Sequence, residues 1–256
     1  MALITLTTDF GSIYPAAMKG VILSISPRAT IVDITHNVPH ADIRAGTFAL
    51  YSVTPYFPKG TVHIAVVDPG VGTARNSIVI SAGGHFFVGP DNGLLVPAAS
   101  RLGYMQIRRI TNFGLLGDVS ATFHGRDVFA RIGAYLSKGM SLEDVGETTL
   151  DYVHLDFGTV EVGYNFISGH IIYIDDFGNV ITNIQSSDAF KKFRIEEHVR
   201  VFGNSIPFLE TYGYAGKGEL LALIGSHGFL EIAVNESSAA KLLKIKCGDE
   251  VRIEKK

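Results

Sequence analysis

Between Leu3 and Asp68, three short runs rich in β-branched residues alternate with two stretches of helical period. "LITLTTDF" (3–10) reads as a buried strand and "YPAAMKGVILSIS" (14–26) as a helix. "TIVDIT" (30–35) is a second strand, "DIRAGTFALYSVTPYF" (42–57) holds a second helix ending near Pro55, and "TVHIAVVD" (61–68) is a third strand. That order predicts an α/β N-terminal domain with a mostly parallel sheet and helices on both faces. "NSIVISAGGHFFVGPDNGLL" (76–95) adds a hairpin turning at Gly83-Gly84. "HGRDVFARIGAYLSKG" (124–139) predicts an amphipathic helix with Val128, Phe129, Ile132 and Tyr135 on one face and Gly139 as its C-cap.

After about residue 155 the rhythm changes to short alternating runs split by turns. "GHIIYIDDFGNVITNI" (169–184), "HVRVFGNSI" (198–206), "ELLALIGSHGFLEIAV" (219–234) and "DEVRIEK" (249–255) predict a smaller all-β, barrel-like C-terminal domain. The expected domains are therefore 1–155 and 160–256, with the boundary between Thr148 and Tyr164.

Composition narrows the function classes. Of 256 residues, 46% are hydrophobic and 18% charged, which excludes disorder as the main state. A net charge of −3 offers no electrostatic footprint for nucleic acid or an anionic membrane. No apolar run reaches the roughly 18 residues of a membrane span. The start, "MALITLTTDFG", lacks the basic and small-residue signature of a secretion signal. Lone Cys247 suits a reducing compartment, so the expected location is cytoplasmic.

In open α/β sheets, ligands collect beyond the carboxyl ends of the strands. Asp9 follows the first strand and Asp68 the third. Asp9 suits either a turn-capping carboxylate or an acceptor for the two vicinal hydroxyls of a ribose. "VVDPGVGTARNS" (66–77) lacks both the dinucleotide-binding and the P-loop glycine patterns, yet it places Arg75 seven residues after Asp68. Pro69 holds the Asp68 backbone extended, and a permanently charged arginine would keep the carboxylate ionised and aimed. A purely structural ion pair is the alternative. His124 enters the helix of "TFHGRD", beside Phe123, which suits either the core or a face for a flat base.

His36 and His40 have a metal-like spacing, but Pro39 between them breaks the helix that would align them, so no metal is expected. In the second half, "DDFGNVITN" supplies Asp175, Asn179 and Asn183 around a Phe-Gly turn, an Asx-rich hairpin or a polar subsite. Ser226 and His227 lie in a glycine-flanked turn whose N–H groups and hydroxyl suit a carboxylate, or an ordinary hairpin.

Together "TTDFG", "DITHNVPHADIRAG", "VVDPGVGTAR", "TFHGRD", "DDFGNVITN" and "GSHGFLEIAVN" resemble, in order and along nearly the whole chain, the S-adenosylmethionine hydroxide adenosyltransferases. These hydrolases are related to fluorinating and chlorinating adenosyl-transfer enzymes. The resemblance implies a homotrimer with sites between subunits, S-adenosylmethionine as substrate and no cofactor. The implied reaction is attack of water or hydroxide on ribose C5′, giving adenosine and L-methionine, with the (R)-sulfonium epimer as one substrate to consider. It implies that Asp68, Arg75 and His124 surround the attacking water, that Asp9 holds the ribose hydroxyls and that Phe123 flanks the nucleoside. Asp175 would meet the methionine ammonium, Ser226 and His227 its carboxylate. Asn179 and the backbone from Glu231 through Val234 to Glu236 would read the adenine, and Asn183 would belong to the substrate site. The halogenating relatives carry aromatic residues at the positions of Asp68 and His124, and some relatives carry arginine at that of His227. The charge at Asp68 favours hydrolysis over halide transfer. A halogenase and a non-catalytic adenosine-binding or S-adenosylmethionine-binding protein are the competing readings.

Overall fold

The structure is a computed structural model that describes residues 2–256. The chain divides into two compact units, residues 1–156 and 157–256.

The first unit is built on six strands: β1 (Leu3–Thr8), β2 (Thr30–Thr35), β3 (Val62–Val66), β4 (Ser77–Ala82), β5 (His85–Pro90) and β6 (Met105–Arg109). Their order is β2-β1-β3-β5-β4-β6. Neighbours from β2 to β5 run parallel; β4 is antiparallel to both β5 and β6. The sheet is thus mixed with a parallel majority, as the strand–helix rhythm predicts. Helices α1 (Tyr14–Ile25) and α4 (Ala130–Ser137) pack together on one face, where Met18, Ile22, Phe129 and Ile132 cover Ile4, Leu6 and Ile64. Helices α2 (Ile43–Val53) and α3 (Val96–Arg101) pack together on the other. Asp42 starts α2 by accepting a 2.9 Å bond from the Ala45 N–H, which removes one orphan donor. At Gly46 a Cβ would stand 2.9 Å from Val67, so glycine lets α2 approach the chain just before Asp68.

The helix expected over 124–139 has two parts. Gly125–Phe129 forms a π turn, and α4 follows it. Val128, Phe129 and Ile132 are buried as expected, while Tyr135 is only half-buried. Gly139, at φ +94°, ends the helix: its N–H reaches Leu136 O, and Met140 N–H reaches Tyr135 O.

The second unit contains β7 (Glu161–Val162), β8 (Phe166–Ile174), β9 (Val180–Gln185), β10 (His198–Val201), β11 (Asn204–Pro207), β12 (Leu220–Ile224), β13 (Phe229–Val234) and β14 (Glu250–Lys255). The path β11-β10-β14-β8-β9-β13-β12 is antiparallel throughout, with β7 attached to β8. A bridge from Phe208 to Ala222 links its two ends, so the sheet nearly closes into a barrel. Alternation fills the interior: Val199 and Val201 of β10, and Val251 and Ile253 of β14, point inward between exposed neighbours. Strand β8 turns the corner, pairing with β14 through residues 166–170 and with β9 from Ile171 onward, where the register shifts. Among the described residues no helix is long and apolar enough to cross a membrane.

Candidate functional site

The sheet order places several chemistry-bearing residues along one edge. Strands β1 and β3 end there at Asp9 and Asp68. Because β4 runs antiparallel to β5, its start, Arg75 to Ser77, lies at that edge too. Strand β6 is antiparallel to β4 in turn, so Arg109 is there as well, paired with Ile78.

Asp68, Arg75 and His124 form one hydrogen-bonded cluster. Arg75 Nε donates to Asp68 Oδ1 at 2.9 Å and to Oδ2 at 3.1 Å, and Nη2 makes a further short bond to Oδ2. The second Nη2 hydrogen goes to His124 Nδ1 at 3.0 Å. The two Nη1 hydrogens go to Asn76 O at 3.0 Å and Ser77 Oγ at 2.8 Å. All five guanidinium N–H groups are therefore engaged within the protein, and the plane lies over Phe129, 5.3 Å from its centroid. The Asp68 and Arg75 side chains are only 4% and 11% exposed. An ion pair so sheltered is held in one geometry, and removing one partner would leave an uncompensated charge.

The cluster also fixes the state of His124. Its pKa is lowered by burial first and by the Arg75 charge second, against smaller opposing effects of Asp68 and Asp127. A guanidinium only donates, so Nδ1 is an acceptor and the proton of the neutral ring sits on Nε2. Among the described residues Nε2 has no protein partner, and it is not sealed from solvent. His124 thus offers an N–H, not a free lone pair, at the sheet edge. The π turn that follows it is the kind of helix irregularity found at functional positions.

Phe123 belongs to an aromatic group. Phe10 and Tyr14 each meet it edge-on, with centroids 5.6 Å away, and Arg126 lies 5.1 Å over its ring. Glycine is required at 125, because a Cβ there would stand 2.8 Å from the Phe10 ring. Asp9, with its side chain 7% exposed, accepts the Ala41 N–H at 2.9 Å and lies 3.5 Å from His40. One of its oxygens thus secures the loop before α2. His36 bonds Thr8 and pairs with Asp33, so His36 and His40 serve different partners.

In the second unit the expected residues are more occupied with structure. Asp175 Oδ1 accepts the N–H groups of Phe177 and Asn179 at 3.0 and 2.8 Å, and Oδ2 accepts Asn179 Nδ2 at 3.0 Å. This is an Asx-turn closing the β8–β9 hairpin. Asn183 accepts the His170 N–H and donates to Gly158 O and Thr159 O, clamping residues 158–159 to β8. Ser226 is exposed in the β12–β13 turn. His227 Nδ1 accepts the Phe229 N–H at 3.2 Å, and Nε2 faces Glu231 Oε2 at 3.2 Å.

Sequence reasoning missed Tyr212, whose hydroxyl donates to Glu231 Oε1 at 2.7 Å. Burial, that hydrogen bond and the charges of Glu231 and Asp175 push the phenol pKa up. A carboxylate only 2% exposed is thereby satisfied from two sides. Val234 ends β13, and its carbonyl accepts the Ser237 N–H across a turn that holds Glu236 at φ +57°. Sequence reasoning also missed Ser77, which fixes Arg75. Only its place two residues after the arginine hinted at that contact.

Comparison with known proteins agrees with this arrangement of motifs. Residues 4–146 match the SAM hydroxide adenosyltransferase N-terminal domain, and residues 169–252 match the corresponding C-terminal domain. The chain is 40% identical to the (R)-S-adenosyl-L-methionine hydrolase of Salinispora tropica, over 98% of this chain and 97% of that one. A fluorinase of an Actinoplanes species is more distant, 28% identical over 94% of this chain and 92% of its own length. The crystal structure of a conserved protein from Thermotoga maritima superposes with a TM-score of 0.92 at 40% identity, covering 98% of this chain and 99% of that one.

Proposed function

The chain belongs to the SAM hydroxide adenosyltransferase family, and from that premise we propose that it hydrolyses S-adenosyl-L-methionine, acting on the (R)-sulfonium epimer, to adenosine and L-methionine. The observation that carries the reading is the Asp68–Arg75–His124 cluster, a carboxylate locked by a fully engaged guanidinium beside a neutral imidazole.

The chemistry asks little of the leaving group. The C5′–S bond breaks with its electron pair going to sulfur, and a sulfonium becomes a neutral thioether without a general acid. The demand falls on water, which must stand in line about 3 Å from C5′ and lose a proton as the O–C5′ bond forms. Asp68 Oδ1, which accepts only the Arg75 Nε–H, retains acceptor capacity; it takes that proton from the attacking water and passes it on to solvent after the C5′–S bond has broken. Arg75 has no N–H left for the nucleophile; it aims Asp68 and holds His124. His124 directs an Nε2–H toward the reacting oxygen or the ribose. No metal or organic cofactor takes part in this scheme, and S-adenosylmethionine is substrate.

Asp9 and Phe123 would hold the ribose and flank the nucleoside. Asp175, Ser226, His227 and the β13 backbone would meet the methionine and adenine ends. We further propose a cytoplasmic homotrimer whose active sites draw on more than one subunit; sedimentation gives the test of assembly.

Incubating each sulfonium epimer separately and separating the products tests the function. Adenosine and methionine from the (R) epimer are expected; persistence of both epimers would reduce the chain to a binding protein. Molar chloride discriminates the halogenase. A carboxylate repels an anion 4 Å away by about 4 kcal/mol at an effective dielectric near 20, partly offset by Arg75, so adenosine is expected without 5′-chloro-adenosine.

A further inference from the structure

A cavity of about 360 Å³ adjoins the catalytic cluster at Arg75 and His124. It continues past Ser77 to Arg109 and Thr111. Asp9, Phe10 and Phe123 take no part in its walls. Along the sheet edge it therefore lies on the β4–β6 flank, opposite the β1 flank where Asp9 stands. We infer that this cavity is the port through which water reaches the cluster while the nucleoside occupies the Asp9 flank. The inference rests on the hydrolase reading.

Three features support it. First, the polar lining consists of hydroxyl, amide, imidazole and guanidinium groups, and it includes no carboxylate. Asp68 and Asp151, which pair with Arg75 and Arg109, lie outside it. The lining thus offers no carboxylate to hold the sulfonium or ammonium charge of the substrate, whereas neutral water needs only the hydrogen-bonding groups it supplies. Second, the volume accommodates on the order of ten waters at about 30 Å³ each, and the side chains give such waters hydrogen-bond partners. Third, each turnover consumes one water and releases one proton. A nucleoside seated over the cluster excludes bulk solvent from that side, so a second approach lets water refill the site before product departs.

A larger cavity of about 560 Å³ runs along the outer side of β6, between Tyr104 and Tyr152. It touches none of the three cluster residues and plays no part here.

Val119, 42% exposed, stands in the cavity wall near solvent, and Val128, 5% exposed, stands deeper. Val119→Trp places an indole in the port with little demand on the core; Val128→Ile narrows it by one methylene. The expected result is a fall in kcat of about fivefold or more for Val119→Trp and a smaller fall for Val128→Ile. KM for the sulfonium substrate, the Kd for adenosine and Tm should stay near those of the parent, whereas a general structural effect would move all of them together. A high-resolution structure of the parent with adenosine bound should show a file of ordered waters from the cavity to His124. A dry or closed cavity there would overturn the inference. So would kcat within twofold of the parent in both variants, with the indole seen in the cavity. A parent that hydrolyses neither epimer would instead overturn the reading of function, which the same assays report separately.

Discussion

His124 in the first unit and His227 in the second each accept a hydrogen bond at Nδ1, yet their surroundings are opposite. His124 accepts from a guanidinium and turns its other nitrogen toward solvent. His227 accepts from a backbone N–H and gives its other nitrogen to Glu231, which Tyr212 holds from behind. In the first unit the polar side chains hold one another and leave reactive atoms facing out. In the second, Asp175 and Asn183 are tied mainly to backbone groups of turns and strands, and Glu231 to the side chains of Tyr212 and His227. The same residue types are thus held by one another's side chains in one region and largely by backbone turns and strands in the other.

The sharpest way to break that contrast is Asp68→Asn, which keeps the shape and removes the charge. Turnover should fall about a hundredfold or more, the range for a positioned acid–base group. Thermal melting must be followed alongside, because Asp68 is the buried partner of Arg75 and not a free loop residue. Near-parental turnover in a folded protein would remove Asp68 from the mechanism.

Asn183→Ala probes the other region. It deletes one acceptor and two donors that clamp residues 158–159, so stability should drop by about 2 kcal/mol, read as a lower denaturation midpoint. Turnover of the folded fraction should change by no more than about threefold. A large rise in KM with stability unchanged would assign Asn183 to the substrate site.

A pH profile sharpens the comparison further. The His124 pKa lies below its ordinary 6.5, and only the neutral ring can accept from Arg75. A group with a depressed folded pKa contributes while neutral and loses that contribution as pH falls through the folded value. The acid limb of kcat should therefore have its midpoint below 6.5 and be reduced in His124→Gln. A limb centred above 6.5 that persists in that variant would assign the titration to another group.

Much of this was legible in the sequence where local pattern suffices. Strand β2 spans the expected 30–35, and the hairpin turns at Gly83-Gly84, where both residues adopt the positive φ that glycine permits. Strand β6, "MQIRR", and helix α3 were not read, because a polar edge strand and a six-residue helix carry little periodicity. The break of the 124–139 helix into a π turn was equally silent. It is set by packing of Phe10 and Phe123 around Gly125. The Asp68–Arg75 pairing was foreseeable from seven residues of separation and a proline. The engagement of every Arg75 N–H was not, since it needs His124 from 49 residues away. Tyr212 and Glu231, 19 residues apart, meet only in the folded unit, where no local pattern announces the contact.

In the proposed reaction water, set by the cluster around Asp68, is the nucleophile at C5′. The most direct test is turnover of the (R) epimer in ¹⁸O-enriched water with molar chloride present, followed by mass spectrometry of the nucleoside and the amino acid. Adenosine carrying one ¹⁸O at its 5′-hydroxyl, methionine without label, and no halogenated nucleoside are expected. Unlabelled adenosine, label in methionine instead, or substantial 5′-chloro-adenosine would contradict the proposed reaction.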